Sequence, residues 1–255
     1  MIEAKDVSCT FARNPFSKEG FMAVSPVSIQ FIDGERYAIV GESGSGKTTL
    51  ARMIAGLQRP TTGNIYVDGM PVYGKHKVHT NYFKEVQIIQ QDSSSALDPK
   101  MSVGRSIEEP LLCFFHLDKG ERKKRCHDLM DLCNLSVEYY SRLPAELSGG
   151  EQKRVAIARA LAAEPKCLIF DEATNGFDLP LRKKIIEEIV DLQRKLAFTL
   201  IFITHDMELA VVIADVILVM RNSTLIEQVE FSGDISVFTS EYSKTLLYAS
   251  GITDT

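Results

Sequence analysis

The sequence predicts a mixed α/β fold with a parallel sheet, crossover helices and an inserted helical segment. Three observations support this class. Near residue 40, a short apolar strand is followed by a glycine-rich loop and a helix. From residue 167 to residue 220, strand-like and helix-like segments alternate. Between about residues 101 and 143, apolar residues recur with helical spacing and strand signals are few, which predicts a helical insertion.

The elements on either side of the insertion follow from the same patterns. Before it, apolar alternation and flanking turn residues predict strands and one helix. The strands are 2–11, 24–31, 37–40, 64–67 and 86–91, and the helix is 48–55. After it, helices alternate with buried strands, as in a sheet with crossover connections. The strands are 167–170, 199–203 and 216–220, and the helices are 153–163, 181–196 and 207–214.

Composition limits the classes of protein to consider. The chain has 255 residues, of which 45 % are hydrophobic and 25 % are charged, as in an ordinary soluble protein with one domain and a subdomain, or with two small domains. A net charge of −5 argues against a nucleic-acid partner. Five scattered cysteines fit free thiols in a reducing cytoplasm. No signal peptide or membrane-length apolar run is expected, so any membrane role would come through a partner.

A phosphate-binding loop is predicted at residues 41–48. The sequence Gly-Glu-Ser-Gly-Ser-Gly-Lys-Thr matches the pattern G-x-x-x-x-G-K-[ST], and it lies between a strand and a helix as that pattern requires. Its glycines allow a tight backbone turn around a polyphosphate at the positive end of the helix dipole. Lys47 is placed to reach the β- and γ-phosphates, and the Thr48 hydroxyl to bind Mg²⁺. The nucleotide-binding candidates are Gly41, Glu42, Ser43, Gly44, Ser45, Gly46, Lys47, Thr48 and Thr49.

Two adjacent carboxylates end a later apolar strand. Asp171 and Glu172 directly follow the run Cys-Leu-Ile-Phe at 167–170. In a protein with a phosphate-binding loop, an aspartate at such a strand end binds Mg²⁺ directly or through its water. The next carboxylate can remove a proton from an attacking water molecule. We therefore expect Asp171 to be a metal ligand and Glu172 to be the general base.

The segment Leu-Ser-Gly-Gly-Glu-Gln at 147–152, which opens a helix, resembles the signature sequence of the ATP-binding-cassette ATPases. The motifs quoted above occur in the order of that family, over essentially the whole chain. The resemblance implies ATP and Mg²⁺ as cofactors. It also implies a phosphate-loop NTPase core with a parallel sheet, an N-terminal antiparallel β-subdomain and an inserted helical subdomain. The expected division of this single domain is a core at 1–91 and 166–255 and a helical subdomain at 92–165.

Further roles come from the same resemblance. Gln91 matches the glutamine that contributes to the metal and catalytic site, His205 matches the switch histidine, and Asp178 matches the aspartate of the loop after the catalytic glutamate. Phe11 is expected to stack against adenine, with Phe16 and Phe21 as alternatives. In the family the signature residues contact the nucleotide of the opposite subunit, so two cassettes enclose two nucleotides. The signature candidates are Ser148, Gly149 and Gly150.

The segment 91–103 is similar to the peptide and nickel importer branch, which typically has a run like Q-D-P-x-x-S-L-N-P-x-M-T-V. Ser93 replaces the usual proline and Asp98 the usual asparagine. The chain also lacks a C-terminal cysteine cluster, so no iron–sulfur site is expected. His76 and His79 have no evident third ligand, and we interpret them as incidental surface residues rather than a metal site. The basic run 122–125 is interpreted as a solvated helix face rather than a lipid contact.

The expected partners are transmembrane permease subunits, a second cassette ATPase (identical or not) and an extracytoplasmic substrate-binding protein. This places the chain on the cytoplasmic face of the membrane, peripherally. The expected solutes are peptide, nickel or metallophore-like compounds. Leu97, Met101 and Val103 are expected to line an exposed groove for a permease helix, or else to cap the subdomain core. An exporter ATPase and a non-transport cassette ATPase remain as alternatives.

Overall fold

The computed structural model describes residues 1–12, 20–74, 78, 81–90, 97–172 and 179–252. The chain divides into two compact units, Met1–Phe83 with Ala197–Thr255 and Lys84–Leu196. The predicted helical subdomain at 92–165 belongs to the second unit by sequence, and its bounds remain a prediction.

The elements follow one another in a β-rich, then helical, then alternating order. The first part contains β1 (Ile2–Ala12), β2 (Gly20–Phe31), β3 (Arg36–Val40), α1 (Lys47–Ile54), β4 (Thr62–Val67), β5 (Met70–Pro71) and α2 (Tyr82–Glu85). The middle part contains β6 (Val86–Ile89), α3 (Val103–Phe114), α4 (Lys119–Leu132), two short 3₁₀ helices (Val137–Ser141 and Pro144–Glu146), α5 (Gly149–Leu161), β7 (Cys167–Asp171) and α6 (Leu179–Leu196). The last part contains β8 (Thr199–Thr204), α7 (Met207–Ile213), β9 (Val216–Arg221), β10 (Thr224–Glu230), a 3₁₀ helix (Ile235–Val237) and α8 (Glu241–Ala249).

An antiparallel sheet forms the N-terminal part of the first unit, with strand order β2-β1-β4-β5. Its buried side chains include Ile2, Ala4, Ile29 and Ile65. These residues come from strands with alternating apolar positions, as expected for a sheet that buries one face. The predicted N-terminal antiparallel β-subdomain is therefore confirmed.

Parallel strands form the second sheet of this unit, where β3 lies between β8 and β9. Their central residues are fully buried, as in a sheet that is covered on both faces. Val40 pairs with both Thr204 and Val219, so these three strands end at one edge. The predicted parallel sheet is confirmed, and β10 adds an antiparallel strand beside β9 that the sequence analysis did not predict.

The second unit is mainly helical and also contains the parallel pair β6–β7. Among the described residues, three of its α-helices begin at a side-chain cap. Ser102 caps α3, while Asp118 with Glu121 and Ser148 with Glu151 form reciprocal capping boxes on α4 and α5. Such caps satisfy backbone N–H groups that have no partner inside the helix. The helical character predicted for residues 101–143 is confirmed.

The proposed exposed groove in this unit is wrong for two of its three residues. Leu97 is 3 % exposed and Val103 is 0 % exposed, so both belong to the interior. Met101 is partly exposed. An aspartate in place of Leu97 would bury a charge and disturb the fold. The alternative interpretation, that these residues cap the subdomain core, fits Leu97 and Val103.

Across the described part of the chain, no helix has both the length and the apolar character needed to cross a membrane.

Candidate functional site

The loop between β3 and α1 has a backbone that requires glycine at two positions. Gly41 has a φ of +149° and Gly46 a φ of +101°. A Cβ atom on Gly41 would lie 2.1 Å from the carbonyl oxygen of Met220, and one on Gly46 would lie 2.3 Å from that of Ala23. Because real Cβ atoms do not approach backbone oxygens so closely, only glycine fits both places. This tight turn is the geometry that the phosphate-binding pattern predicts.

Lys47 is held inside this loop. The residue is only 4 % exposed. The Nζ atom donates hydrogen bonds to the carbonyl oxygens of Gly41 and Glu42, each at 2.8 Å. The ammonium therefore lies beside the first turn of the loop, at the N-terminal end of α1, where the helix dipole favours an anion. A cation, a helix N-terminus and glycine-enforced curvature together suit a polyphosphate ligand.

His205 emerges at the same sheet edge as the loop. Val40, the last residue of β3, pairs with Thr204, the last residue of β8. Gly41 and His205 are the next residues of these two parallel strands, and His205 is exposed. Asp206 then caps α7 by accepting a hydrogen bond from the backbone N–H of Leu209 at 3.2 Å. His205 and the phosphate-binding loop therefore begin at the same edge of the parallel sheet.

An exposed aromatic patch lies on the antiparallel sheet. Phe11 on β1 pairs directly with Phe21 on β2, and the residues are 42 % and 51 % exposed. Residues paired in this way point to the same face of a sheet. Two residues beyond Phe21, the carbonyl of Ala23 contacts Gly46 of the loop. The patch therefore contains two of the three candidates for base stacking, while Phe16 lies outside the described residues.

In the second unit, the two candidate carboxylates lie at the end of β7. Asp171 is the last residue of that strand and is 6 % exposed. Glu172 is partly buried and has a φ of +50°, a left-handed conformation that is uncommon for a residue with a side chain and is found at functional sites. Because Ile89 pairs with Phe170, β6 also ends at this edge. Gln91, Asp178, His76 and His79 lie outside the described residues.

The signature residues form the start of α5. Ser148 is its N-cap, and its hydroxyl accepts from the backbone N–H of Glu151. The Glu151 carboxylate accepts from the backbone N–H and the hydroxyl of Ser148, each at 2.7 Å. The hydrogen bond from the Ser148 hydroxyl is the largest cause of the lowered pKa of Glu151. Gly149 and Gly150 form the first turn, so a 13-residue helix presents its N-terminus here.

Two residues beside these motifs were missed by the sequence analysis. Glu151 could have been found, because Ser-x-x-Glu before an apolar run is a capping-box pattern. Tyr242 on α8 could not, since no motif marks it. Its phenol oxygen accepts a hydrogen bond from the backbone N–H of Glu42 at 3.3 Å.

The candidate residues are thus distributed over both units. The first contains the phosphate-binding loop, His205 and the aromatic patch of Phe11 and Phe21. The second contains the Asp171–Glu172 pair and the signature. Within the residues that the structure describes, no group of three or more histidine, cysteine, aspartate or glutamate side chains could hold a metal ion. A metal here would need hydroxyl and phosphate oxygens as further ligands.

The basic run 122–125 makes contacts within its own unit. Arg122 donates to the carbonyl oxygen of Leu117 at 2.6 Å, and Arg125 pairs with Glu164 at 2.7 Å. Lys123 lies over the ring of Tyr140. These contacts agree with the interpretation as an ordinary helix face.

Sequence comparisons find close relatives over nearly the whole chain. A family model described as ABC transporter matches residues 24–175. The protein is 35 % identical over 249 residues to the nickel import ATP-binding protein NikE of Escherichia coli O6:K15:H31, a match that covers 96 % of this chain and 92 % of the relative. It is 38 % identical over 205 residues to the NikE protein of Brucella abortus strain 2308, covering 80 % of this chain and 77 % of the relative.

Solved structures of similar fold are also cassettes. A dimeric post-hydrolysis state of the ATP-binding cassette MJ0796, bound to ADP and Pi, superposes with a TM-score of 0.78 at 27 % identity, covering 92 % of this chain and 100 % of that one. The structure of cbiO1 from Clostridium perfringens, part of the cbiONQ transporter complex, gives a TM-score of 0.78 at 28 % identity, covering 90 % of this chain and 88 % of that one.

Proposed function

This chain belongs to the ABC transporter family, and we propose that it is the ATP-hydrolysing subunit of an importer that takes up nickel. The observation that carries the nucleotide part is the glycine-enforced turn that holds Lys47 at the N-terminus of α1. The solute is inferred from relatives whose names state nickel import and which match up to 96 % of this chain. Because these relatives are importers, an exporter or a non-transport ATPase is not favoured.

ATP is bound by the loop residues Gly41 to Thr49. The Nζ atom of Lys47, positioned by the carbonyl oxygens of Gly41 and Glu42, donates to phosphate oxygens, and backbone N–H groups of the loop donate to the same phosphates. The ring of Phe11, with Phe21 beside it, stacks against adenine. An aromatic face supplies this contact without reading the edge of the base.

Mg²⁺ is the metal that suits the candidate ligands. Thr48 offers a hydroxyl oxygen, Gln91 an amide oxygen and Asp171 a carboxylate, and hard cations of this kind prefer such oxygen donors. The metal would neutralise charge on the phosphates. Glu172 takes the proton of the attacking water as the general base, and His205 and Gln91 complete the catalytic set.

The assembly follows from the family. Permease subunits carry the solute across the membrane, and a second cassette supplies the signature Ser148, Gly149 and Gly150 to the opposite nucleotide. The dimeric cassette MJ0796 bound to ADP and Pi supports this arrangement. An extracytoplasmic protein delivers the solute, and the chain lies peripherally on the cytoplasmic face of the membrane.

Lys47→Ala tests nucleotide binding at the loop. Removing the ammonium deletes the principal cation in contact with the phosphates, so binding of ADP and ATP should become undetectable or nearly so. Isothermal titration calorimetry on the purified chain measures this. Lys5→Ala, at a lysine whose side chain is 54 % exposed, is the matched control and should bind normally. Normal affinity in Lys47→Ala would place the nucleotide elsewhere.

Uptake of radioactive nickel tests the solute. A strain that lacks this gene should lose energy-dependent nickel uptake at submicromolar concentrations and regain it with the wild-type gene but not with Lys47→Ala. Unchanged nickel uptake in the deletion strain, together with loss of dipeptide uptake, would overturn the nickel assignment and favour a peptide importer.

A further inference from the structure

A side chain of α8 contacts the phosphate-binding loop. Tyr242 lies on the first turn of α8, is 8 % exposed, and packs in a core with Val40 of β3. Its phenol oxygen accepts a hydrogen bond from the backbone N–H of Glu42 at 3.3 Å. Burial raises the pKa of Tyr242. The phenol is therefore protonated at neutral pH.

Glu42 connects the phenol of Tyr242 to the ammonium group of Lys47. Its backbone N–H is held by Tyr242, while its backbone carbonyl accepts from the Nζ atom of Lys47 at 2.8 Å. Both backbone groups of Glu42 are thus fixed, one by α8 and the other by the lysine. A displacement of Glu42 would move the carbonyl oxygen that positions the lysine.

Arg221 contacts the ring of Tyr242. The guanidinium carbon of Arg221, at the end of β9, lies 4.5 Å from the ring centroid of Tyr242, within the range of a cation–π contact. The preceding residue, Met220, is the one whose carbonyl oxygen approaches Gly41. The end of β9 therefore contacts Gly41, the first residue of the loop, and also the ring of Tyr242.

We propose that Tyr242 is a positioning residue for ATP binding, which holds the first turn of the phosphate-binding loop, and through Glu42 also Lys47, in the nucleotide-binding arrangement. This inference rests on the proposed function, because it assigns the loop to a nucleotide. Tyr242 acts only through Glu42 and makes no contact with the reacting atoms. A residue of this kind changes affinity for the nucleotide more than the rate of the chemical step.

Tyr242→Phe tests the proposal, because it removes the hydroxyl and leaves the ring and its packing. ADP is the probe, since it engages the loop without hydrolysis. The dissociation constant should rise about two- to tenfold, the range for one lost hydrogen bond. The KM for ATP should rise by a similar factor, while kcat changes less than twofold. Calorimetry and a steady-state ATPase assay on the purified chain measure these values, well below the unfolding temperature.

Tyr248→Phe is the matched control on the same helix, since Tyr248 is 77 % exposed. It should leave the ADP affinity and the KM unchanged. Arg221→Met, which keeps the stem and removes the cation from the ring, should weaken ADP binding in the same direction and by a smaller factor. It also provides a second variant if Tyr242→Phe is poorly folded.

The outcomes separate this inference from the proposed function. If the wild-type chain binds ADP and Tyr242→Phe binds equally well, the positioning role is wrong while the nucleotide site stands. An equal loss in Tyr248→Phe would also overturn it. If the wild-type chain itself fails to bind ADP or ATP, the proposed function fails.

Discussion

Among single residues, Glu227 on β10 carries an unusual number of hydrogen bonds. One of its carboxylate oxygens accepts from the backbone N–H of Thr239 at 2.6 Å, from the hydroxyl of Thr239 at 2.8 Å and from the backbone N–H of Ser240 at 2.9 Å. Burial alone would raise the pKa of this carboxyl, but hydrogen bonds from Ser240 and Thr239 outweigh it, so the pKa is lowered. The carboxylate thereby anchors the start of α8.

Glu227→Gln should therefore change how stability depends on pH. In the unfolded chain this carboxyl has a pKa of about 4.5, and in the folded protein its pKa is lower. The ionised carboxyl therefore stabilises the fold above pH 4.5. This stabilisation is lost as the pH falls through the pKa of the folded protein. Above pH 4.5, Glu227→Gln should unfold with a free energy lower by about 1–2 kcal/mol. Its stability should also fall less between pH 6 and pH 3 than that of the wild type.

Urea unfolding at several pH values measures both effects. Glu230→Gln, at an exposed position of the same strand, is the control and should follow the wild type. A Glu227→Gln protein with the wild-type pH dependence would show that the carboxylate does not stabilise the fold in this way.

The five cysteines give a second prediction at this scale. Cys113 is exposed, whereas Cys9, Cys126, Cys133 and Cys167 are buried. Burial raises the pKa of Cys126 and of Cys133 to about 12, so their thiolates are scarce at neutral pH. A thiol reagent such as DTNB should label one of the five cysteines rapidly in the isolated native chain and all five in denaturant. Cys113→Ser should abolish the rapid phase, and rapid labelling of a second thiol would contradict the burial.

At the scale of elements, the phosphate-binding loop combines two constraints on one glycine. Gly46 has a positive φ, and a Cβ atom there would meet the carbonyl oxygen of Ala23 at 2.3 Å. Gly233 also has a positive φ, but no atom lies within 4 Å of its added Cβ. An alanine at Gly233 would therefore add backbone strain alone, whereas an alanine at Gly46 would add both strain and a collision.

Gly46→Ala should abolish nucleotide binding, because relief of the collision must move β2 or the first turn of α1. Gly233→Ala carries strain of about 1 kcal/mol without collision, and it should bind ADP normally with a slightly lower melting temperature. Calorimetry and thermal unfolding measure the two variants. Wild-type affinity in Gly46→Ala would show that the contact between β2 and the loop is not needed for binding.

Elements differed in how far the sequence could predict them. The strands β3, β7, β8 and β9 were found because parallel strands are continuous apolar runs. In β10, a single buried residue, Val229, stands among polar neighbours, which leaves too weak a pattern to predict an edge strand. The helix α8 was also missed, and with it the contact from Tyr242 to the loop. Glu42 and Tyr242 are 200 residues apart in the sequence, and a contact between such distant residues leaves no local sequence pattern that would predict it.

Burial errors have a similar origin. Leu97 and Val103 follow polar segments, and this context suggests exposed apolar residues, but both side chains are buried. Local polarity does not reveal which surface another helix will cover. Exposed candidates for a permease contact would have to be sought elsewhere in that unit, for example at Leu112, which is 63 % exposed on α3.

For the whole molecule, the family could be predicted because its motifs are short, local and ordered along the chain. The phosphate-binding loop, the Asp171–Glu172 pair and the signature each depend on a backbone turn at the end of one strand or the start of one helix. Their residue types are therefore fixed locally. The contacts of the C-terminal elements depend on distant parts of the sequence, and these were not predicted.

The central claim, that this chain is a cassette ATPase with Glu172 as its general base, is tested most directly by the ATPase rate of Glu172→Gln beside its ATP affinity. Glutamine keeps the size of the side chain and removes the base, so turnover should fall about 10²–10⁴-fold while ATP still binds. Because ATP is then retained between two cassettes, the variant should elute in ATP as a dimer, with its partner ATPase or with itself, and as a monomer without ATP. Glu230→Gln is the control. An unchanged turnover rate in Glu172→Gln would contradict the account.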